Sequence, residues 1–381
     1  MEPSTVKTLL IVGGGHASLP VIKMGRKWKK HNISIRLISA KPYLIYSGAL
    51  PQFMAGFYEW NQTAIDLENL CERYGVPFTA GRVVSVNENK NTVTTSEGST
   101  ISYDYLLLNV GASTRPVIEG DNISPVKPMS KLLNLREKLV SGSVRNLLII
   151  GGGAAGSELA MNVSHPEFKH SSNTTIVDRN DRLLSSFPAK LSDEVTSILK
   201  ERGVAVLTGK DASSGFISTF DEVILAAGNQ PESISINHNF ETGAEHRILT
   251  EETLRVLGNP TVFAAGDMAD VNGKNYQQIG VHAVKQGVVL RKNIKAAILG
   301  RPLTNYKPYF TNPLILSNGP DSAFFIMNRW VLKGRMYAVL KYVLDMRWLD
   351  KYTRKPANRR SDLNLFKEGF KRSTPSKKSG R

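Results

Sequence analysis

The chain of 381 residues carries one cysteine, Cys71, and no second thiol to pair with it. That scarcity excludes an internal disulfide, a C-x-x-C redox pair and a thiolate metal site, and no metal is expected. Cys71 sits in the helix-like run Leu67–Tyr74 and reads as a small buried hydrophobe, in keeping with a reducing compartment. Long apolar runs are missing too: none approaches the roughly 20 residues that cross a bilayer. The first strand pattern starts so soon after Met1 that no signal or transit peptide is expected. The expected location is intracellular, either cytoplasmic or peripheral on a membrane surface.

What the chain does contain is organised around Leu147-Leu148-Ile149-Ile150-Gly151-Gly152-Gly153-Ala154-Ala155-Gly156-Ser157-Glu158. Four apolar β-formers run into a complete G-x-G-x-x-G, and a helix-forming run follows. Gly151 permits a tight strand-to-helix turn, Gly153 lets backbone approach a pyrophosphate, and Gly156 lets helix and strand pack closely. The helix start then offers unpaired N–H groups and a positive dipole end to phosphates. Asp178 closes a second apolar run, Thr174–Val177, at about the offset of a ribose-binding carboxylate. A near-copy lies earlier, in Leu9-Leu10-Ile11-Val12-Gly13-Gly14-Gly15-His16-Ala17-Ser18. Two such loops in one chain point to two dinucleotide sites. The first departs from the pattern twice: its third glycine is Ser18, and its second strand, Ile33–Ile38, ends in Ser39 rather than an acid.

Along the chain, 6–12 reads as a buried parallel strand, 16–30 as a helix, and 64–74 as another helix. Lys41–Pro51 is rich in aromatic and turn residues, as either a segment lining a flat ring or a core loop would be. Alternating apolar and polar residues from Arg82 to Tyr103 predict an antiparallel meander. Tyr105–Leu108 is a further buried strand leading to Gly111. A Pro-dotted crossover (Pro116, Pro125, Pro128) marks a domain boundary. The second unit then runs from a helix at 130–140 to the strand ending at Gly228. Later, Thr261–Ala265 delivers Gly266-Asp267 to a fixed spot, where a carboxylate can accept hydrogen bonds from a polyol. Gln278–His282 opens an apolar-periodic helix reaching about Leu299; its positive end suits a ring that becomes anionic on reduction. A strand pair (314–316, 323–327) leads to a helix near 335–350, on which Met336, Val339, Leu340, Val343 and Leu344 form one apolar stripe. That stripe is expected either to cover the first domain or to enter a membrane interface.

The net charge of +16 is concentrated at one end: residues 351–381 hold eleven Lys and Arg against Asp362 and Glu368. Such a tail suits an anionic membrane surface or nucleic acid, and a solvated tail has the same composition.

Taken together, these pieces resemble the two-dinucleotide-domain flavoprotein superfamily of the glutathione reductase type. Within it they are most similar to type II NADH:quinone dehydrogenases and to the flavoprotein domain fused to selenide, water dikinase. The resemblance rests on Gly13–Ala17, Leu37-Ile38-Ser39, Tyr46–Pro51, Gly151–Glu158, Ala264–Asp267, Gly280–Gly287 and the spacing Lys341-x-x-x-Asp345-x-x-Trp348, and covers about 6–352. It implies an α/β fold of two Rossmann-like domains with a small C-terminal α+β region (308–352) and a basic tail (353–381). FAD would occupy 1–115 with 249–307, and NADH, with NADPH as the variant, 116–248. FAD would be held by Gly13, Gly14, Gly15, His16, Ala17, Ser39, Lys41, Pro51, Val84, Gly111, Gly266 and Asp267. The nicotinamide dinucleotide would be held by Gly151, Gly153, Gly156, Asp178, Gly228 and Asn229. Asp178 favours NADH by repelling a 2′-phosphate, with Arg179 beside it opposing. Catalytic roles would fall to Glu158 near the nicotinamide, and to His282 and Gln286 at the flavin, where the relatives carry two glutamines. The implied activity is transfer of hydride from NADH to FAD, then of two electrons to a quinone or similar small acceptor. The absence of a cysteine pair removes the disulfide-reductase branch. Weaker likeness to apoptosis-inducing-factor-like oxidoreductases leaves a nucleic-acid or protein partner for the tail as the alternative, with a redox role in selenium metabolism as a third. The oligomeric state, a homodimer included, is left open.

Overall fold

A computed structural model of the chain describes residues 6–115, 118–170, 172–232, 236–273, 280–308 and 313–353. The expected roles of Pro116 and of Gln278-Ile279, and the tail from 354 onward, fall outside them. The chain divides into two compact units, the first comprising 1–44, 65–113 and 230–310, the second 45–64, 114–229 and 311–381.

In the first unit, five parallel strands lie side by side in the order Val262–Ala264, Tyr105–Leu108, Lys7–Val12, Ile33–Ser39, Phe78–Ala80. Consecutive residues Leu9, Leu10 and Ile11 are fully buried, so both faces of the sheet are covered, as a run of apolar residues without alternation requires. The expected meander is present as Val83–Asn87, Thr92–Thr95 and Thr100–Ser102, all antiparallel. Its Val83, Val86 and Val93 pack with Leu10, Val12, Leu106 and Leu108. The helix expected over 16–30 is instead two short ones, Leu19–Ile22 and Gly25–Lys29. The N–H of Met24 bonds the Val21 carbonyl at 2.9 Å, one residue tighter than an α-helical bond. Gly25 then passes so near Tyr74 that a Cβ would lie 2.4 Å from its carbonyl oxygen.

The sequence boundary at 248 shifts to 229. Residues 230–248 join the first unit because Asn237 donates to Val84 and accepts from Val86, both at 2.8 Å, and because Phe240 and Ile248 enter its core. Residues 45–64 go to the second unit, where Arg136 Nε donates to the Phe53 carbonyl at 2.9 Å and its guanidinium covers the Phe53 ring.

The second unit repeats the layout: Ile123–Pro125, Glu222–Leu225, Asn146–Ile150, Asn173–Asp178 and Ala205–Thr208 form a parallel sheet in that order. After residue 312 come three antiparallel strands rather than two, Leu314–Ser317, Ala323–Met327 and Trp330–Gly334, followed by the helix Arg335–Thr353. Of the apolar stripe read on this helix Val339 is buried and Val343 half-buried, while its other three members face outward. Met336 is 68% exposed, Leu340 38% and Leu344 50%, whereas Ala338, Lys341, Tyr342, Asp345, Trp348, Leu349 and Tyr352 are buried. The buried polar residues Lys341 and Asp345 form an ion pair with each other.

Candidate functional site

Each parallel sheet ends in a glycine turn that only glycine can make. In the first unit, Gly13 has φ +93°, and a Cβ there would lie 2.4 Å from the Asn109 carbonyl oxygen. At Gly15 a Cβ would lie 2.2 Å from Asn109 Oδ1. Asn109 is the hub, and no sequence motif singled it out. Its Nδ2 donates to the Ala265 carbonyl at 2.8 Å, and Gly266 passes close to the same amide. Ser18 explains the loop's departure from three glycines: its Oγ donates to the Gly13 carbonyl at 2.7 Å. In the second loop the residue at the same offset is Gly156, where a Cβ would come 1.9 Å from the Gly151 oxygen. One loop uses a hydroxyl to turn that close approach into a hydrogen bond; the other removes the side chain.

The remaining first-unit candidates gather around this turn or the strand ends. Gly14, Gly15, His16 and Ala17 make the turn, and Gly14 packs on Leu67. Ser39 is buried at the end of Ile33–Ser39, and Lys41 is exposed two residues on. Gly111, at φ +85°, has open space where a side chain would be. Val84 is half-buried in the meander. Asp267 lies half-buried in the 3₁₀ turn Gly266–Met268, directly after the strand Val262–Ala264. Gln286 is buried and its Oε1 accepts the Gly266 N–H at 2.7 Å, so it fixes that turn. His282 is buried on the same helix, Gly280–Ile298, with Nδ1 2.8 Å from the Tyr306 hydroxyl. Burial, with a contribution from Lys285, lowers the His282 pKa below the ordinary imidazole value of 6.5 and favours the neutral ring. Pro51, expected at the flavin, belongs to the short helix Leu50–Met54 of the second unit.

In the second unit Gly151 has φ +108°, and Gly153 faces open space. Such a ridge of side-chain-free backbone at a helix start can seat a pyrophosphate. Asp178 Oδ2 accepts the Gly152 N–H at 2.5 Å, and Oδ1 accepts both the backbone and the side-chain N–H of Asn180 at 2.7 Å. The carboxylate therefore braces the loop from the neighbouring strand. Gly228, at φ +68°, opens on empty space beside half-buried Asn229.

Glu158 is 8% exposed, one turn along the helix Ala154–Val163. Its Oε1 accepts the Ser317 N–H at 2.7 Å and the Ser317 hydroxyl at 2.9 Å. Lys341 Nζ stands 4.0 Å from that oxygen. Nζ donates to the Gly48 carbonyl and, at 3.0 Å, to Asp345 Oδ2, while Tyr46 donates to Asp345 Oδ1 at 3.0 Å. The Tyr46 ring stacks on Trp348 with centroids 4.5 Å apart. Burial raises the Glu158 pKa against the opposing pull of Lys341 and Ser317. It also pushes the Tyr46 phenol well above its usual range, with Asp345 adding. For Lys341 burial opposes the charge, yet Asp345 and Glu158 outweigh it and hold the ammonium above the ordinary lysine value. Glu158 therefore takes up a proton more readily than an ordinary carboxyl. Among the described residues no cluster of three or more His, Cys, Asp or Glu side chains gathers to hold a metal.

The family model described as pyridine nucleotide-disulphide oxidoreductase matches residues 7–287. The chain is 23% identical over 352 residues to the NADH dehydrogenase-like protein YutJ of Bacillus subtilis (88% of this chain, 97% of that protein). It is 22% identical over 371 residues to a type II NADH:quinone oxidoreductase of Haemophilus influenzae (79% and 83%). It is 28% identical over 289 residues to a rubredoxin-NAD(+) reductase of Alcanivorax borkumensis (70% and 73%). Among solved structures, NDH2 from Plasmodium falciparum in complex with NADH superposes with a TM-score of 0.72 at 15% identity (96% and 98%). These likenesses bear out the expected two-Rossmann α/β fold and the superfamily, whose cofactors are FAD and a nicotinamide dinucleotide.

Proposed function

The chain belongs to the pyridine nucleotide-disulphide oxidoreductase family, and from that premise we propose an FAD-dependent NADH dehydrogenase that delivers two electrons to a quinone or similar small acceptor. One observation carries the choice of acceptor. Cys71, the only cysteine, is buried on the helix Leu67–Tyr74, and burial, then Asp66 and Glu68, push its thiol up to about 12. A thiol without a partner, a path to solvent or a thiolate cannot relay electrons as a dithiol does, so they leave the flavin for a diffusible acceptor.

The residues fit the cofactors. The Gly13–Gly15 turn braced by Asn109 would seat the FAD pyrophosphate, with Asp267 and Gly111 at the ribityl chain. The Gly151–Gly153 ridge would seat the dinucleotide pyrophosphate, with Asp178, Gly228 and Asn229 around it. FAD, when bound, supplies the two-electron chemistry; the protein binds, orients and handles protons. Gln286, by accepting the Gly266 N–H, holds the turn that carries Asp267. His282, a neutral ring oriented by Tyr306, would hydrogen-bond or protonate the acceptor. Glu158, buried beside Lys341, would hold a proton close to the nicotinamide.

Peripheral membrane attachment fits a lipid-dissolved quinone. It is supported by exposed Trp330, Met336, Leu340 and Leu344, ahead of the Lys- and Arg-rich tail. No helix among the described residues is long and apolar enough to cross a membrane. Purified protein should be yellow, bleach anaerobically with NADH and regain colour on adding quinone. A colourless protein that FAD does not reconstitute would end this reading.

A further inference from the structure

Two long stretches of the sequence, residues 3–58 and 271–320, contain no Asp or Glu at all. In the first unit their described parts pack together. Gly287 comes so close to the turn before the helix Leu19–Ile22 that a Cβ would lie 2.7 Å from the Ala17 carbonyl oxygen and 3.0 Å from Pro20. Where they meet, an open cleft of about 600 Å³ is lined by Arg26, Lys27 and Lys30 from one stretch and Arg291, Lys292 and Lys295 from the other. Trp28, only 2% exposed, anchors the first wall, and Asn293 and Ile294, both buried, anchor the second. None of the six cations is in an ion pair among the described residues.

Six like charges facing one concavity repel one another, and no Asp or Glu is among the residues that line it. Lys295 suits the negative end of its own helix, as Arg26, Lys27 and Lys30 suit that of the short helix Gly25–Lys29. Neither helix end accounts for Arg291 and Lys292 lining the same concavity. The cleft is also separate from the flavin candidates: Lys292 lies about 15 Å along the helix from His282, at 1.5 Å per residue.

We propose that this cleft binds a compact polyanion bearing two or more phosphate groups, at a site distinct from both glycine turns. Its volume is that of a small-ligand pocket. Guanidinium forks at Arg26 and Arg291 suit phosphate oxygens bidentately, and the lysines add mobile point charges. The assignment is independent of the acceptor chemistry proposed above.

The test uses the full chain saturated with FAD and NAD⁺, so that both glycine turns are filled, titrated calorimetrically with inorganic tripolyphosphate. One saturable site that weakens steeply with salt is expected. The variant Lys27→Gln/Lys30→Gln/Lys292→Gln, all three positions being exposed, should bind roughly tenfold more weakly or worse with flavin content and Tm unchanged. Removal of 354–381 should leave binding intact. Co-sedimentation with phosphatidylcholine vesicles with and without cardiolipin separates the two sources of the phosphates. Retention that needs both cardiolipin and these lysines identifies a lipid headgroup, and tripolyphosphate binding alone identifies a free ligand. No saturable binding, undiminished binding in the triple variant, or loss only on removing the tail would each overturn the assignment.

Discussion

The ammonium of Lys341 lies 3.0 Å from Asp345 Oδ2, one turn away on the same helix, and both side chains are buried. Lys341→Met would leave Asp345 and Glu158 as acids without a cation, at an expected cost of about 3–5 kcal/mol. Lys341→Met/Asp345→Leu should cost less than the sum of its singles, with a coupling of about 0.5–3 kcal/mol. Urea denaturation of the four proteins of the cycle measures it; additive losses would mean that the pair does not act as a unit.

Glu158 gives a pH signature. Its folded pKa is raised above the ordinary 4.5, so below that value the acid is protonated in both the folded and unfolded chain and costs nothing. As pH rises above 4.5 the unfolded chain releases the proton first, and stability falls until the folded group also ionises. Glu158→Gln removes this dependence while keeping an acceptor for the Ser317 N–H. The stability difference between parent and variant should therefore move in favour of the variant from pH 4.5 towards neutrality. A difference that is flat with pH would show that the carboxyl is not perturbed.

The two glycine turns can be broken one at a time. Gly156→Ala brings a methyl within 1.9 Å of the Gly151 oxygen and should weaken NADH binding about tenfold or more, with FAD retained. Gly15→Ala strikes Asn109 and should yield protein with little flavin. Absorbance spectra and stopped-flow flavin reduction separate the two outcomes; the reverse pattern would exchange the cofactors between the units.

Asp178 braces its own loop and, by the proposed function, meets the ribose. Asp178→Ser should raise the Kd for NADH by roughly tenfold, the worth of a charge-assisted hydrogen bond. It should also shift preference towards NADPH, with Arg179 then unopposed. Initial rates with both cofactors report the ratio.

His282→Phe should leave anaerobic bleaching by NADH intact and lower quinone turnover by about a hundredfold, the low end for a lost general acid. Because its pKa lies below 6.5, any contribution from the protonated ring grows only as pH drops under that value. Parent turnover should gain more than the variant's on acidification.

The glycine turns were legible in the sequence because an apolar run breaking into G-x-G-x-x-G has few other uses, and Asp178 because it closes the next strand. Asn109 carried a fainter mark, a lone amide directly after the buried Tyr105–Leu108. The Lys341–Asp345 spacing was visible as part of the resemblance, but the burial of the pair was not. Opposite charges four apart on a helix usually mark a solvated face, and the partners that bury this pair, Tyr46 and Gly48, stand nearly 300 residues earlier. On the same helix Met336, Leu340 and Leu344 are exposed, the outward of the two placements that the apolar stripe left open. The break at Met24 depended on Gly25 meeting Tyr74, a contact that helical propensity does not encode.

The depth of Cys71 gives the protein a silent reporter of its own opening. Alkylating reagents should find nothing to modify in the native state, and each molecule should be labelled once when the helix Leu67–Tyr74 comes away from the sheet. The rate of iodoacetamide incorporation then times the breathing of the first glycine turn, since Leu67 on that helix packs directly against Gly14. Added FAD should slow it in proportion to how tightly it is held.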